Sequence, residues 1–285
     1  MNDLVRRWDT NQKALVLASL KGGLSPLSPF GKTEEGLVDL RGLQLEEPLL
    51  LNELSADGLD LSFSRIPKML CVRSNFVNCS LRKAKVLLLS NGSIFENVDF
   101  SHADISKSAS GGATKFIDSS FKFSNLTGGG FKQGFFENCD FSNATLNMVE
   151  FGECDISDSV FDGVLNKCFF RGSVNRCDFR SVAFIDCAFY GVELNDCLLS
   201  KDAILFKNWV EDCVRICRGA KGATMSDEAR KSLDKWCGVW QKLEGVMRDE
   251  VIDYQSLRQQ EGVEVADEIF AFFKSVAVDS ARPLA

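Results

Sequence analysis

The sequence predicts an all-β solenoid with an N-terminal capping helix and a C-terminal helical unit, and three observations support this prediction. A large apolar residue recurs at every fifth position through the middle of the chain. The chain contains 23 Phe but only 2 Tyr, as expected where rings are buried without a partner for a hydroxyl group. After Asp202 the five-residue period ends and apolar residues take helical spacing.

Composition limits the class of protein. The 285 residues are 45% hydrophobic and 26% charged, which is ordinary for a globular protein and excludes wholesale disorder. No apolar run approaches the ~20 residues that span a membrane, and no export signal pattern opens the chain, so we expect a cytoplasmic protein without membrane contact. The net charge of −7 disfavours direct nucleic-acid binding.

The chemistry-bearing residues indicate a protein without catalytic activity. His102 is the single histidine, which removes most catalytic constellations, and no cofactor fingerprint or metal-ligand spacing occurs. The 11 cysteines are odd in number and form no CxxC motif. We therefore expect no disulfide framework, and we interpret the cysteines as small buried apolar residues in a reducing compartment. The sequence predicts no catalytic residue, no cofactor and no metal.

The N-terminal segment, residues 1–36, is predicted to cap the solenoid. Apolar residues between Thr10 and Leu20 have helical spacing, and the pair Gly22-Gly23 follows as a stop signal. Solenoids expose an apolar cross-section at each end, and such a helix would cover it.

The repeat itself occupies residues 37–201 in the predicted domain division. Two residues before each large apolar residue lies a small one, often with Asp or Asn between them. We expect the large and small residues to point inward and the other three residues to face solvent. The predicted core columns are formed by Phe116, Phe121, Phe131, Phe136, Phe141, Phe151, Phe161, Phe179, Phe184 and Phe189.

The period slips at three places, and its start is weak. Leu40, Leu45 and Leu50 are expected to begin it, and Phe169 to resume it after the last slip. The slips within 86–95 and 106–115 each require a bulge, a shortened side or an outward loop, and Ser106–Gly112 is predicted to be a loop because its residues are small and polar. Insertions in solenoids often lie on a binding face. The candidate partner-binding residues of this region are Arg82, Lys83, Lys85 and Lys107.

Three units, Val98-Asp99-Phe100, Ala103-Asp104-Ile105 and Cys177-Asp178-Phe179, resemble the A(D/N)LXX unit of the pentapeptide-repeat family. The resemblance covers about residues 38–204. It implies a right-handed quadrilateral β-helix with four pentapeptides per square coil. Residues 20 apart would then stack, and eight or so coils would give a rod about 40 Å long.

The C-terminal segment, residues 202–285, is predicted to be a helical domain with three helices. The first carries Leu205, Trp209 and Cys217, and the second begins after Ser226 and continues to Met247 and Val251. The third covers Val265–Val276. Two interpretations stay open: the unit caps the solenoid, or a face with Trp236 and Trp240 also builds a homodimer or partner interface.

Function is predicted from these surfaces. The first hypothesis is a non-enzymatic interaction module, a rigid rod that presents its outer faces and loops to a protein partner. A second follows from similarity to the quinolone-resistance pentapeptide proteins, which implies a DNA mimic that protects DNA gyrase or another topoisomerase. The basic cluster Arg82–Lys85 is expected to interrupt any acidic stripe, so this hypothesis ranks second. An immunity or antitoxin protein against another toxin is a third.

Overall fold

A computed structural model describes residues 2–24, 26–207, 209–243 and 249–280 of the chain. It is a β-solenoid of about 8 turns with helices at both ends, which confirms the predicted fold class. Successive coils pair in parallel, as Phe116 with Phe136 and Phe131 with Phe151. The spacing of 20 residues between these partners is that of four pentapeptides.

The solenoid strands are short, and most of them are one side of a coil. In chain order they are Val38–Asp39 (β1), Leu49–Asn52 (β2), Ser55–Asp57 (β3), Leu59–Asp60 (β4), Arg65–Val72 (β5), Asn75–Val77 (β6), Lys85–Asn91 (β7), Ile94–Glu96 (β8), Ala109–Gly111 (β9), Lys115–Ile117 (β10), Gly130–Lys132 (β11), Phe135–Glu137 (β12), Asp140–Phe141 (β13), Leu146–Asn147 (β14), Glu150–Ser157 (β15), Val160–Asn166 (β16), Phe169–Asn175 (β17), Asp178–Ile185 (β18), Ala188–Phe189 (β19), Glu193–Asn195 (β20) and Leu198–Leu199 (β21).

Each corner of a coil places one residue in the left-handed region of backbone space. Asn78, Asn97, Asp118 and Asn138 have φ between 50° and 52° at successive turns of one corner. Asn and Asp tolerate this conformation better than other side chains that carry a Cβ atom. The frequency of Asp and Asn in the repeat is therefore partly a requirement of the corner.

Phenylalanine rings form continuous columns inside the coils. In one column, Phe100, Phe121, Phe141, Phe161 and Phe179 stack with ring centroids 4.7–5.0 Å apart. Burial of each ring stabilises the coil by about 2–3 kcal/mol. The predicted core residues that are no more than 3% exposed are Phe116, Phe121, Phe131, Phe136, Phe141, Phe151, Phe161, Phe179, Phe184 and Phe189.

Two of the predicted repeat positions are wrong by one residue. Leu50 and Phe169 point outward, with 55% and 41% of their surface exposed, while Leu49 and Phe170 are buried. The cause at Phe169 lies in the preceding strand β16, where Phe161 and Leu165 pair with Phe141 and Leu146, so this side of the coil is one residue shorter than the side on which it stacks. A difference of one residue reverses which side chains face inward.

The predicted loop at Ser106–Gly112 is also wrong. The segment Ser106–Gly112 contains strand β9, which pairs with β7 and β11, and Ser108 and Ser110 are buried. Ser108 occupies the small inward position, where its Oγ accepts a hydrogen bond from the backbone N–H of Leu88 at 2.9 Å. The 86–95 region likewise contains strands β7 and β8. In these coils one side is a residue longer or shorter than five, so the spacing of the inward residues changes without an outward loop.

Two helices, Asn2–Arg6 (α1) and Thr10–Lys21 (α2), close the N-terminal end. Val16 and Leu20 of α2 join the solenoid core. Arg7 donates hydrogen bonds to Asp39 of the first coil at 2.5 and 2.9 Å. Burial raises the pKa of Asp39, but hydrogen bonds from Arg7 and Arg41 outweigh burial and hold that pKa well below its usual range. A charged clamp therefore fastens the cap to the rod.

The C-terminal end begins with an antiparallel ribbon of Ala203–Phe206 (β22) and Glu250–Asp253 (β23). Leu205 and Val251, predicted to be helical, lie in these two strands, and Met247 lies outside the described residues. Their pairing joins positions far apart in sequence, which helical spacing alone does not reveal. Val251 belongs to the solenoid core and Ile252 to the helical core, so the ribbon separates the two.

The described residues of this unit form four helices, one more than predicted. They are Trp209–Ala220 (α3), Asp227–Leu243 (α4), Tyr254–Glu261 (α5) and Val263–Ser280 (α6). Of these, α5 and α6 pack on the ribbon. Ser226 caps α4, since its Oγ accepts a hydrogen bond from the N–H of Ala229 at 3.2 Å. A disulfide joins Cys217 of α3 to Cys237 of α4, which corrects the expectation that no cysteine is paired. The packing of these two helices brings the Cα atoms to 5.7 Å.

Candidate interaction surfaces

The outward residues of the solenoid form rows that run along its axis. Because coils pair nearly in register, each outward position lies above the same position of the coil before it. Side chains in one row therefore contact each other, as where Asn138 Nδ2 donates to Asp118 Oδ1 at 2.7 Å. The rows define the faces of the rod, and their composition differs from face to face.

One face carries no charge over its middle coils, and we call it the uncharged face. Its outward residues are Asn125, Thr127, Thr145, Asn147, Val164 and Asn166. The corners on either side expose Phe123 and Met148, at 52% and 53% of their surface. The ring of Phe123 stacks on His102 with centroids 4.8 Å apart, and Asn166 donates to Asn147 Oδ1 at 2.9 Å. The exposed groups are thus held by their neighbours in the next coil.

Three of the predicted partner-binding residues lie at the N-terminal end of this same face. Lys83 and Lys107 occupy its corners, and Lys85 lies on the face and forms an ion pair with Asp104 at 3.1 Å. Burial raises the pKa of Asp104, but hydrogen bonds from Ser106 and Lys85 outweigh it and lower that pKa overall. Arg82 precedes the corner and lies on the neighbouring face. The structure therefore brings together Lys83, Lys85 and Lys107, and it separates Arg82 from them.

A different face concentrates the acidic residues, and we call it the acidic face. It is formed by the outward positions of β3, β6, β8, β10, β12, the second half of β15, β17 and β20, together with the corner that follows them. Its exposed carboxylates are Asp57, Glu96, Asp118, Glu137, Asp155, Asp158, Glu193 and Asp196. Lys115 and Arg176 are its basic residues, and Arg176 pairs with Asp158 at 2.6 Å. The expected interruption by Arg82–Lys85 is wrong, because that cluster lies on other faces.

Three buried cysteines of the solenoid, Cys79, Cys139 and Cys154, are not disposed to react. Burial raises the pKa of Cys79 to about 11, and it raises the pKa of Cys139 and of Cys154 to about 12. A thiol with such a pKa is not ionised near neutral pH, and the thiolate is the reactive form. These side chains fill the small inward position of the repeat.

The two tryptophans predicted to form an interface are half-buried against the C-terminal core. Trp236 and Trp240 contact each other edge to face at 5.3 Å, and Trp240 contacts Trp209 at 5.1 Å. Trp236 also stacks on Phe273 at 6.4 Å. Both rings line a cleft between α4 and the last coils of the solenoid.

The described residues contain no group of three or more His, Cys, Asp or Glu side chains placed to bind a metal ion. His102 is exposed and has the ring of Phe123 as its neighbour. Within the described part of the chain, the helices are too short or too polar to cross a lipid bilayer.

The sequence analysis did not identify Phe123, Met148 and Val164 as candidate binding residues. The repeat pattern contains enough information to identify Phe123. Phe123 lies two positions after the inward Phe121, and the repeat assigns that position to solvent. A large apolar residue at an outward position is the informative exception in a protein whose inward positions are fixed by a repeat.

Comparison with known proteins supports the family resemblance. The family model for pentapeptide repeats matches residues 114–158 with 8 copies. No curated protein sequence matches the chain. Similar solved structures include HetL, a pentapeptide-repeat protein involved in heterocyst differentiation regulation from the cyanobacterium Nostoc sp. strain PCC 7120. It is 14% identical, with 57% of this chain and 90% of HetL covered and a TM-score of 0.33.

Two further structures complete the comparison. Rfr23, from the cyanobacterium Cyanothece 51142, is 15% identical, with 43% of this chain and 87% of Rfr23 covered and a TM-score of 0.31. QnrB1, a plasmid-mediated fluoroquinolone resistance protein, is 14% identical, with 57% of this chain and 91% of QnrB1 covered and a TM-score of 0.24.

Proposed function

We propose that this pentapeptide-repeat protein is a non-catalytic interaction module that binds a protein partner through the uncharged face. The observation that carries the proposal is the exposure of Val164 on this face and of Phe123 and Met148 at its corners, although the exposed Lys167 follows Met148 at the same corner in the next coil. Protein interfaces are enriched in aromatic residues and Met at their centres and depleted in charged residues.

The rigidity of the face favours binding. Phe123 is held by its stack on His102, and Asn147 and Asn166 are held by their hydrogen bond. Side chains that are already ordered lose little conformational entropy when a partner binds, so more of the contact energy appears as affinity. The basic end, with Lys83, Lys85 and Lys107, would steer a partner that has acidic residues beside its apolar contact.

The experiment compares a face variant with a matched control. In Phe123→Ser combined with Met148→Gln, we expect the affinity for a partner identified by affinity capture and mass spectrometry to fall at least about tenfold. The double variant Asp118→Asn, Glu137→Gln changes the acidic face and should leave that affinity unchanged. Loss of binding only in the acidic-face variant, with thermal stability preserved in both, would contradict the proposed face.

A second candidate function rests on the acidic face. Its eight carboxylates against two basic residues favour a partner that normally binds a polyanion, as in a DNA mimic that protects gyrase. Their density is low, however. Spread over roughly 35 Å of coils, they provide about one charge per 4 Å, whereas B-DNA carries one per ~1.7 Å. For this reason we rank mimicry second.

A supercoiling assay separates the two candidates. Mimicry predicts that the purified protein alters gyrase activity at micromolar concentration and that the effect weakens steeply with added salt. The Asp118→Asn, Glu137→Gln variant should then lose the effect, and the Phe123→Ser, Met148→Gln variant should keep it. Absence of any effect at low salt would remove the mimicry hypothesis.

Two finer points belong to the proposal. The eight cysteines of the solenoid form no disulfide, which supports a cytoplasmic location, where thiols stay reduced, whereas the Cys217–Cys237 disulfide of the C-terminal unit is the observation against it. Homodimerisation through the C-terminal helices is a prediction that sedimentation at several protein concentrations would check. A monomer at high concentration would exclude it.

A further inference from the structure

A cleft lies between the last coils of the solenoid and the C-terminal unit. It encloses about 340 Å³, within the range of small-molecule sites. Phe184 and Cys187 of the solenoid form one wall, and Trp236 and Trp240 of α4 form another. Strand β23 lies along it and contributes Glu250. The cleft is distinct from the outer faces, and the inference goes beyond the proposed function.

Glu250 is the unusual residue of the cleft. Its side chain is on the same side of β23 as Ile252, which packs in the helical core, and only 7% of its surface is exposed. The carboxyl atom Oε2 is buried and has no hydrogen-bond partner. An unpartnered buried polar group destabilises the fold, so native proteins rarely keep one without a ligand or a function.

The other charged groups of the cleft already have roles or point to solvent. Asp186 accepts a hydrogen bond from Gln260 Nε2 at 2.7 Å, and Asp253 caps α5 by accepting from the N–H groups of Gln255 and Ser256. Lys235 of α4 is exposed at the rim. With three carboxyl groups and one ammonium group, the cleft favours a positively charged guest.

We propose that this cleft binds a small organic ammonium ion, whose charged group pairs with the carboxylate of Glu250 and whose apolar body packs on Trp236 and Trp240. Aromatic faces beside a carboxylate are the surroundings in which organic cations are recognised, through cation–π attraction and ion pairing. The cation replaces the missing partner of Oε2. When it binds, Glu250 releases its proton to solvent, so the charge of the pair balances.

Proton release gives the site a pH signature. Burial raises the pKa of Glu250 to about 8, so the free protein holds this proton at neutral pH. Below about pH 8, affinity should rise close to tenfold per pH unit, because binding requires the ionised form. Burial raises the pKa of Asp253 as well, but its two hydrogen bonds are already made in the free protein. The hydrogen bond with Cys168, and then burial, raise the pKa of Cys187, so its thiol stays protonated in this range.

The test uses matched probes on the full chain. Choline is compared with its neutral isostere 3,3-dimethylbutan-1-ol, and hexylammonium with hexan-1-ol, by calorimetry and tryptophan fluorescence. We expect saturable binding of at least one ammonium ion, little binding of its neutral counterpart, and proton release measured from buffers of different ionisation heat. Equal binding of cation and neutral probe, or no saturable binding of either cation, would overturn the proposal.

Variants locate the site. Glu250→Gln keeps the shape of the side chain and should weaken ammonium binding at least about tenfold while abolishing proton release. Glu264→Gln, at an exposed position of α6, removes the same charge elsewhere and should change neither. Unchanged binding in Glu250→Gln contradicts the assignment. If that variant does not fold, the selectivity and proton release of the unmodified protein still decide the question.

Discussion

The solenoid and the C-terminal unit differ in which buried polar side-chain atoms lack a hydrogen-bond partner. In the described part of the solenoid, the buried side-chain atoms without a hydrogen-bond partner are the hydroxyls of Ser64 and Ser110. The C-terminal unit leaves the indole Nε1 of Trp209 and the carboxyl Oε2 of Glu250 in that state. The side chains of Trp209 and Glu250 are larger than those of the two serines, and the carboxyl group of Glu250 can ionise. The repeat thus leaves only small hydroxyl groups unpaired among its described residues, whereas the C-terminal unit retains an ionisable group in that state.

Stacking of the coils explains why most buried polar groups of the solenoid are paired. The small inward residue of one coil donates a hydrogen bond to a backbone carbonyl of the coil before it. Such bonds join Ser119 Oγ to the carbonyl of Phe95, Cys139 Sγ to that of Phe116 and Cys154 Sγ to that of Phe131. The same geometry recurs because the coils are in register. In the C-terminal unit each contact occurs once, so one buried group can lack a partner without affecting the others.

The largest effect is expected in an aromatic column. In Phe141→Asp, a carboxyl group replaces a ring stacked between Phe121 and Phe161 at 4.8 and 4.7 Å. The lost burial and the buried carboxyl together cost more than about 5 kcal/mol, comparable with the total stability of many domains. Circular dichroism should show an unfolded or strongly destabilised chain. The control Phe123→Asp, at an exposed position, should melt close to the unmodified protein; equal destabilisation would contradict the inward assignment.

A smaller, pH-dependent effect is expected in the C-terminal unit. Burial raises the pKa of Glu250 from 4.5 to about 8, so the unfolded chain loses this proton at lower pH than the folded one. The unfolding free energy should therefore fall by about 1.4 kcal/mol per pH unit between about pH 4.5 and pH 8 from this group. Glu250→Gln removes that slope.

Denaturant unfolding at about pH 4, 6 and 8 checks this prediction. The difference between Glu250→Gln and the unmodified protein should grow in favour of the variant as pH rises. Parallel stability curves over this range would mean that Glu250 is ionised or solvated in the folded protein.

The smallest effect is expected at a corner of the solenoid. Asn138 has φ of 51° and donates to Asp118. Asn138→Ala should lower the unfolding free energy by about 1–2 kcal/mol, because alanine fits the left-handed region poorly. Asn138→Gly relieves the backbone strain and should cost less. Thermal melting compares the two, and a larger loss in the glycine variant would show that the side-chain ladder outweighs the backbone.

The same difference governs what the sequence could predict. The period of five identifies the rings of Phe121, Phe141 and Phe161 as neighbours, because a repeat converts spacing along the chain directly into position in space. It failed at Phe169, which follows a side of the coil that is one residue shorter than the side on which it stacks. It also failed at Ser108, because a buried serine satisfied by the neighbouring coil has the same sequence signature as a loop serine.

The sites were harder to predict than the core. Phe123 could have been recognised from its outward position in the repeat. Glu250 could not, because its burial depends on strand pairing with Phe206 and on the packing of α4 across the cleft. Such contacts between distant segments leave no periodic trace in the sequence.

Native-state hydrogen exchange tests most directly whether the two regions differ as described. The amides of β10, β12 and β15 should exchange only through global unfolding, since every coil supports its neighbours. Those of α4 and α6 should exchange faster, through openings confined to the C-terminal unit, and more so at pH 8 than at pH 6 after correction for the intrinsic exchange rate. Equal protection of both regions, or slower exchange in the helices, would contradict the account.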